Sequence, residues 1–154
     1  MLGCNSNASN KSSLSEMESL LLKSSLVDLN NRKVDIKFLK GNKVILNYWA
    51  TWCPPCNAEM PSIIDLMEKT NGKVKYIFLT HESREKVEGH LARKEWDLPV
   101  YYYQYAPPEQ IASSALPTTF VINSQGELIH QSKGMRNWND DQALELLGIS
   151  PISD

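Results

Sequence analysis

Two cysteines separated by two prolines, Cys53-Pro54-Pro55-Cys56, are the residues of this 154-residue chain whose types and spacing most directly indicate chemistry. A thiolate attacks disulfide sulfurs and is the reactive form of cysteine. Two cysteines three positions apart at the start of a helix can close a small disulfide without moving the chain. The pair therefore predicts a dithiol/disulfide redox site.

The elements on either side place the pair where a strand ends and a helix begins. Residues 44–49 are an apolar run that predicts a buried strand, and apolar residues recur at helical spacing over residues 60–67. The first N–H groups of a helix have no partner inside it and lie at the positive end of its dipole. A sulfur held at this point is therefore more easily ionised.

A pair of cysteines with this spacing is also half of a typical zinc site. A structural zinc site needs four ligands, and no second pair of cysteines follows this one. The three histidines, His81, His90 and His130, are scattered and do not keep the spacing of metal ligands. The sequence therefore favours a redox pair, and no metal site is predicted.

Composition sets the class of protein. The net charge of −2 and the pI near 5.9 argue against an electrostatic nucleic-acid binder. No run of 18 apolar residues is present, so no membrane span is expected. We predict one folded domain over residues 25–154, preceded by a polar, mobile leader over residues 1–24.

The leader contains the third cysteine. Leu2-Gly3-Cys4 is similar to the end of a bacterial lipoprotein signal, in which the cysteine carries a lipid. The alternative is a spare cysteine in a flexible segment, and the three residues do not decide between the two.

The remaining patterns predict strands that alternate with helices. Residues 26–29 and 34–38 around Asn30-Asn31-Arg32 predict a small hairpin. Further strands are expected at 44–49, 74–79, 100–103, 118–122 and 127–131, and helices at 54–69, 84–96, 109–112 and 140–147. Ser83 and Asn139 are the expected caps of two of these helices. This order predicts an α/β fold with a central mixed sheet.

Two motifs, in this order, resemble the thioredoxin superfamily, and in particular its extracytoplasmic TlpA/ResA-type thiol–disulfide oxidoreductases. The first is Tyr48-Trp49-Ala50-Thr51-Trp52-Cys53-Pro54-Pro55-Cys56, and the second is Leu116-Pro117-Thr118-Thr119-Phe120-Val121-Ile122. The resemblance implies a three-layer α/β/α fold. It also implies an extra helix and strand inserted before the second motif.

The resemblance assigns roles to the cysteines and to one carboxyl group. Cys53 is the expected nucleophile, and Cys56, one turn into the helix and less exposed, resolves the mixed disulfide. Glu59 is expected to assist proton movement at these thiols, since Asn47 stands where ordinary thioredoxins have an aspartate and an amide cannot take a proton. The alternative for Glu59 is a solvated side chain that merely favours the helix dipole.

The second motif and the rim of the first are expected to bind the partner. The resemblance implies a cis peptide bond at Pro117 and a Leu116 backbone that pairs with an incoming extended chain; the alternative is an ordinary proline at the entry to a strand. Trp52, Pro54 and Pro55 are expected to contact the partner beside the cysteines.

The predicted function is disulfide reduction in extracytoplasmic proteins, with an apocytochrome as a partner of the kind that the relatives use. Pro55 has no N–H to donate to a capping sulfur, so the Cys53 thiolate is only moderately stabilised, which favours a reductant. Electrons would come from a membrane thiol donor, and no cofactor beyond the Cys53–Cys56 disulfide is expected in this monomer. A disulfide oxidase or isomerase, or a binding module without turnover, are the alternatives.

Overall fold

The computed structural model describes residues 25–150, which are built around a six-stranded sheet. The strands are β1 Leu26–Asp28, β2 Lys43–Tyr48, β3 Val74–Leu79, β4 Val100–Tyr103, β5 Thr118–Ile122 and β6 Leu128–Lys133. The helices are α1 Pro54–Thr70, α2 Arg84–Lys94 and α3 Asp141–Leu146, with 3-10 turns at Ile36–Leu39 and Glu109–Ile111. The predicted leader, with Cys4, lies outside the described residues.

The sheet is mixed, as predicted, with the strand order β1-β4-β3-β2-β5-β6. β2, β3 and β4 run parallel to one another, and α1 and α2 are the crossover connections between them. The pairs β1–β4, β2–β5 and β5–β6 are antiparallel. The predicted additional helix and strand are present as α2 and β4, between β3 and the second motif.

Successive side chains of the central strands point to opposite faces of the sheet, and they belong to two apolar clusters, one on each face. On β2, Ile45 points to one face, while Val44 and Leu46 point to the other. The buried apolar side chains of all three α-helices belong to the first cluster, which also contains Cys53 and Cys56. Among residues 25–150, the second face is covered mainly by the two 3-10 turns and the extended chain beside them.

The predicted N-terminal hairpin is present only as a short turn, and its second arm differs from the prediction. Val27 forms a single bridge with Lys33, and the next residues form a 3-10 turn instead of a strand. Asp35 caps this turn by accepting a hydrogen bond from the backbone N–H of Lys37. β1 finds its strand partner in β4, with Leu26 opposite Tyr103.

The last helix begins one residue later than predicted, because Asp140 rather than Asn139 is its cap. The Asp140 carboxylate accepts from the backbone N–H of Ala143 at 2.8 Å. Asn139 instead hydrogen-bonds Lys69 and Asp65 of α1. Ser83 caps α2 as predicted. None of the helices within residues 25–150 is long and apolar enough to cross a membrane.

Candidate active site

The cysteine pair lies between the end of β2 and the first turn of α1, as the sequence predicts. Cys53 is the N-cap of α1, and its sulfur accepts a hydrogen bond from the backbone N–H of Cys56 at 3.3 Å. The two cysteines form a disulfide, with their Cα atoms 5.3 Å apart. Pro54 and Pro55 occupy the first two helical positions, so neither can donate an N–H to the sulfur.

The disulfide is recessed beneath an exposed rim. Cys53 is 3% exposed and Cys56 1%, so the order of accessibility agrees with the prediction, although both are buried. Trp52 is 70% exposed, and Pro54 and Pro55 are also exposed. The indole and the two pyrrolidine rings are therefore the exposed groups next to the buried disulfide, and their contact with a partner stays a prediction.

Two side chains that the sequence analysis did not single out hold the segment before Cys53. Both carboxylate oxygens of Glu82 accept hydrogen bonds from Thr51. One accepts from the backbone N–H of Thr51 at 2.6 Å, and the other accepts from the Thr51 hydroxyl at 2.7 Å. The Asn57 amide N–H₂ donates to the carbonyls of Thr51 and Cys53 at 2.9 and 3.0 Å. These bonds fix the backbone on both sides of Trp52.

Asn57 is in turn held by a buried histidine of α2. Because the Asn57 N–H₂ faces two carbonyls, its Oδ1 faces His90 and accepts from Nε2 at 2.7 Å. Burial lowers the pKa of His90, as do the charges of Arg93 and Lys94, while Glu82 opposes the change. A neutral imidazole therefore connects α2, through Asn57, to the turn that carries Cys53 and Cys56, the cysteine turn.

Glu59 is buried, at 2% exposed, which excludes the solvated alternative. Its carboxylate accepts from the indole Nε1–H of Trp138 at 2.7 Å, the backbone N–H of Arg136 at 3.2 Å and the Asn47 amide at 3.4 Å. Burial raises the pKa of Glu59, while these hydrogen bonds and the charge of Arg136 oppose the change. The carboxyl group therefore keeps its proton to a higher pH than an exposed glutamate does.

Asn47 joins Glu59 to the strand that carries the second motif. Its N–H₂ also donates to the hydroxyl of Thr119 at 2.8 Å, and the two residues face each other across β2 and β5. Its Oδ1 is buried and has no hydrogen-bond partner among the described residues. Asn47 therefore contributes a donor to Glu59 in the present arrangement and retains an unused acceptor.

The peptide bond between Leu116 and Pro117 is cis, as predicted. The Pro117 carbonyl accepts from the backbone N–H of Gly134 at 2.8 Å, which ties this loop to the end of β6. Leu116 is partly buried and packs against the apolar cluster that contains both cysteines. The two motifs, 60 residues apart in the chain, therefore contact the same apolar cluster. Pairing of Leu116 with a partner chain stays a prediction.

Sequence reasoning missed Trp138, Arg136, Glu82 and His90, which reach the site from distant parts of the chain. Trp138 lies three residues before the first residue of α3 and belongs to no motif, and its indole hydrogen-bonds Glu59, which is 79 positions away in the chain. Within residues 25–150, no three His, Cys, Asp or Glu side chains are grouped so that they could hold a metal ion.

Comparisons with known proteins identify a family and relatives that match most of this chain. A family model described as Redoxin matches residues 16–147. A thiol-disulfide oxidoreductase ResA of Bacillus thuringiensis subsp. konkukian is 32% identical over 112 residues, which cover 71% of this chain and 65% of that protein. The chain thus spans about two thirds of the length of such relatives.

Two solved structures are similar in fold. StoA from Bacillus subtilis has a TM-score of 0.64 at 22% identity, covering 79% of this chain and 93% of StoA. An exposed lipoprotein thioredoxin of Streptococcus pneumoniae strain TIGR4 has a TM-score of 0.59 at 21% identity, covering 80% of this chain and 98% of that one. These likenesses confirm the thioredoxin-like fold predicted from the two motifs.

Proposed function

Because the chain belongs to the Redoxin family, we propose that it is a thiol–disulfide oxidoreductase that reduces disulfides in other proteins. The observation that carries the proposal is the Cys53–Cys56 disulfide, with Cys53 as the cap of α1. The similarity to ResA over 112 residues supports the same activity.

The reaction begins when the reduced Cys53 thiolate attacks one sulfur of the partner's disulfide. A bond forms between Cys53 and that sulfur, and the partner's other sulfur leaves as a thiolate. Cys56 then gives up its proton and attacks the Cys53 sulfur, which breaks the mixed disulfide. The Cys53–Cys56 disulfide forms, and two electrons have passed to the partner, whose two thiolates take up protons.

Glu59 is the proton partner of Cys56 in this scheme. It lies three residues after Cys56 on α1, and its burial raises the pKa of the carboxyl group. An ionised Glu59 accepts the thiol proton of Cys56 in the resolving step and returns it when the dithiol is regenerated. The amide of Asn47 cannot take this part.

The direction of electron flow follows from the donors around Cys53. The Cys56 N–H is the donor to the Cys53 sulfur, and Pro55 supplies none. A dithiol whose thiolate is weakly stabilised is a better reductant, because strong oxidants owe their power to a stabilised reduced form. The protein is therefore a reductant rather than an oxidase or isomerase.

The partner binds across the rim of the site as an extended chain. Trp52, Pro54 and Pro55 offer apolar contact beside Cys53, and the backbone at Leu116 and Pro117 pairs with the segment that carries the target disulfide. Partners are disulfide-containing secreted proteins, an apocytochrome among them, and a membrane thiol protein returns the electrons.

The protein works outside the cytoplasm, held to the membrane by a lipid on Cys4. Leu2-Gly3-Cys4 supports this location, and the similar structure from Streptococcus pneumoniae is described as an exposed lipoprotein. Mass spectrometry of the protein from a native membrane fraction tests it. An acylated Cys4 is the expected result, and a free Cys4 thiol in that fraction contradicts the anchor.

Reduction of insulin, with dithiothreitol as the electron source, tests the activity. We expect the wild-type protein to accelerate reduction well beyond dithiothreitol alone, and Cys53→Ser to abolish the acceleration. Cys56→Ser retains the nucleophile and should accumulate a mixed disulfide, which also allows the natural partner to be trapped. A wild-type protein that gives no acceleration is a binding module, and the proposal is then wrong.

A further inference from the structure

The two oxygens of the Glu59 carboxyl group lie in unlike surroundings. Oε1 accepts two hydrogen bonds, from the indole of Trp138 at 2.7 Å and the backbone N–H of Arg136 at 3.2 Å. Oε2 has a single, longer contact of 3.4 Å with the Asn47 amide. Because hydrogen-bond donors stabilise negative charge where they point, the proton of the neutral acid is favoured on Oε2.

Trp138 is anchored to the helix that carries Glu59. Its backbone N–H donates to the hydroxyl of Ser62 at 3.0 Å, and this hydroxyl donates to the Glu59 carbonyl at 2.7 Å. Trp138 is 1% exposed, and the Arg136 guanidinium carbon lies over its ring, 4.5 Å from the ring centroid. The indole N–H is therefore fixed relative to the carboxyl group.

From this arrangement we infer that Trp138 is a positioning residue for the proton-transfer step, holding Oε1 so that Oε2 takes up and returns the proton. The inference rests on the proposed function, in which Glu59 exchanges a proton with Cys56. In the resolving step the Cys56 thiol proton moves to Oε2, and the Cys56 thiolate attacks the Cys53 sulfur, which releases the partner's thiolate. The proton stays on Oε2 until it returns to Cys56 when the dithiol is regenerated.

Asn47 can respond to the proton on Oε2. A protonated Oε2 becomes a donor that faces the N–H₂ of Asn47, which is also a donor. Rotation of the amide would instead present the Asn47 Oδ1, a buried acceptor without a partner among the described residues. The Thr119 hydroxyl, now an acceptor from Asn47 at 2.8 Å, can turn to donate to the same oxygen.

The charged and titratable groups around Glu59 come from α1, from β6 and from the segment after β6. Arg136 supplies a positive charge that favours the carboxylate, and it also lies 3.4 Å from His130 and 3.5 Å from Asp140. Cys56 is one turn earlier on α1. The strands β2 and β5 contribute Asn47 and Thr119, which do not titrate. The hydrogen bonds to Oε1 are therefore a main support of the carboxylate against burial.

Nuclear magnetic resonance of the wild-type protein tests the contact without a substitution. The chain has four tryptophans, and each gives one indole N–H signal in a ¹H–¹⁵N spectrum. We expect the Trp138 signal to move with the ionisation of Glu59 as the pH rises, and this movement to be lost in Glu59→Gln. Movement caused by His130, whose ring lies 6.3 Å from that of Trp138, should remain in the variant. The Trp49 indole, whose Nε1 has no hydrogen-bond partner within residues 25–150, should not follow this ionisation.

Trp138→Phe tests the positioning role itself. An aromatic ring, smaller than the indole, is kept and one donor to Oε1 is lost, so ionisation of Glu59 becomes harder. The acid limb of the rate of mixed-disulfide resolution should move to higher pH by about one pH unit, since a hydrogen bond to a charged group contributes on the order of that much. Trp49→Phe, also a buried indole, should leave the limb in place, and in a Glu59→Gln background Trp138→Phe should cause no shift.

The two measurements separate the inference from the proposed function. Disulfide turnover together with a Trp138 signal that does not titrate overturns the inference alone, even if Trp138→Phe does not fold. A pH profile of Trp138→Phe that coincides with the wild type also overturns it. If the Trp138 signal follows the ionisation of Glu59 but the protein does not turn over disulfides, the proposed function is wrong, and so is the role assigned to Trp138.

Discussion

At the scale of single residues, the properties of the site depend on which hydrogen-bond donors reach two atoms, the Cys53 sulfur and the Glu59 carboxylate. The sulfur accepts from the Cys56 N–H at 3.3 Å, and the prolines between the cysteines cannot add a second donor. The carboxylate has three donors but is 2% exposed. Substitutions that add or remove one donor should therefore have effects that can be measured.

Pro55→Ala adds an N–H at the second helical position, where it can donate to the capping sulfur. The thiolate of Cys53 then forms more easily, and the midpoint pH of its alkylation by iodoacetamide should fall by about one pH unit. The reduction potential should rise by about 30 mV, since this corresponds to about 1.4 kcal/mol for two electrons.

Pro54→Ala is the matched control for Pro55→Ala. It adds its N–H at the first helical position, which does not point at the capping side chain, so alkylation and potential should stay close to wild type. Equal alkylation profiles for Pro55→Ala and Pro54→Ala would show that the missing Pro55 N–H does not weaken the thiolate.

Glu59→Gln should change how stability depends on pH. Since burial raises the pKa of Glu59 above the ordinary 4.5, the folded state binds this proton more tightly than the unfolded chain. The contribution of Glu59 to stability is therefore present at low pH and is lost as the pH rises through the folded pKa. Glutamine removes this loss, at about 1.4 kcal/mol for each pH unit by which the pKa is raised.

Thermal unfolding of Glu59→Gln and wild type between pH 4 and pH 9 checks this expectation. The difference should grow in favour of the variant as the pH rises, and Glu68→Gln, at an exposed position of the same helix, should follow the wild type. A Glu59→Gln variant whose disadvantage increases toward pH 9 would mean that the ionised carboxylate stabilises the fold.

At the scale of elements, the cysteine turn is held by the helix and loop that follow it in the chain. Asn57 of α1 binds the carbonyls of Thr51 and Cys53, and His90 of α2 binds Asn57. Glu82, just before α2, binds Thr51. The crossover between β3 and β4 therefore supports the geometry of the turn as well as completing the sheet.

Asn57→Ala removes both bonds to the turn and leaves His90 without its partner. We expect the free energy of unfolding to fall by about 3 kcal/mol, at roughly 1 kcal/mol for each of the three lost hydrogen bonds. Urea denaturation of the oxidised protein measures the change. Asn30→Ala, at an exposed position of the N-terminal turn, is the control and should unfold at the wild-type midpoint. If Asn57→Ala also unfolds at the wild-type midpoint, the hydrogen bonds of Asn57 do not stabilise the cysteine turn.

Strands were easier to predict than the segments that cover them. The predicted bounds of β3, β4 and β5 agree with the structure. β3 and β5 lie inside the sheet and are buried over almost their whole length, which is the pattern that a continuous run of this kind predicts. The alternation of Val34, Ile36 and Phe38 predicts a strand equally well. In the structure these three side chains lie on one side of an irregular segment and are partly buried against the second cluster.

At the scale of the whole molecule, the two motifs were sufficient to predict the fold and the centre of the site. They fix where β2 meets α1 and where the cis-proline loop enters β5, and the structure joins them through one apolar cluster. The contacts that tune Glu59 could not be predicted. Trp138 and Glu59 are 79 residues apart, and a hydrogen bond across that separation leaves no local pattern in the sequence.

The reduction potential of the Cys53–Cys56 couple, measured by equilibration with glutathione buffers, tests the central claim that this protein donates electrons to disulfides. We predict a value in the range from about −200 to about −270 mV, where glutaredoxins and thioredoxin lie. A value near about −120 mV, typical of a strong disulfide oxidant, would contradict the account.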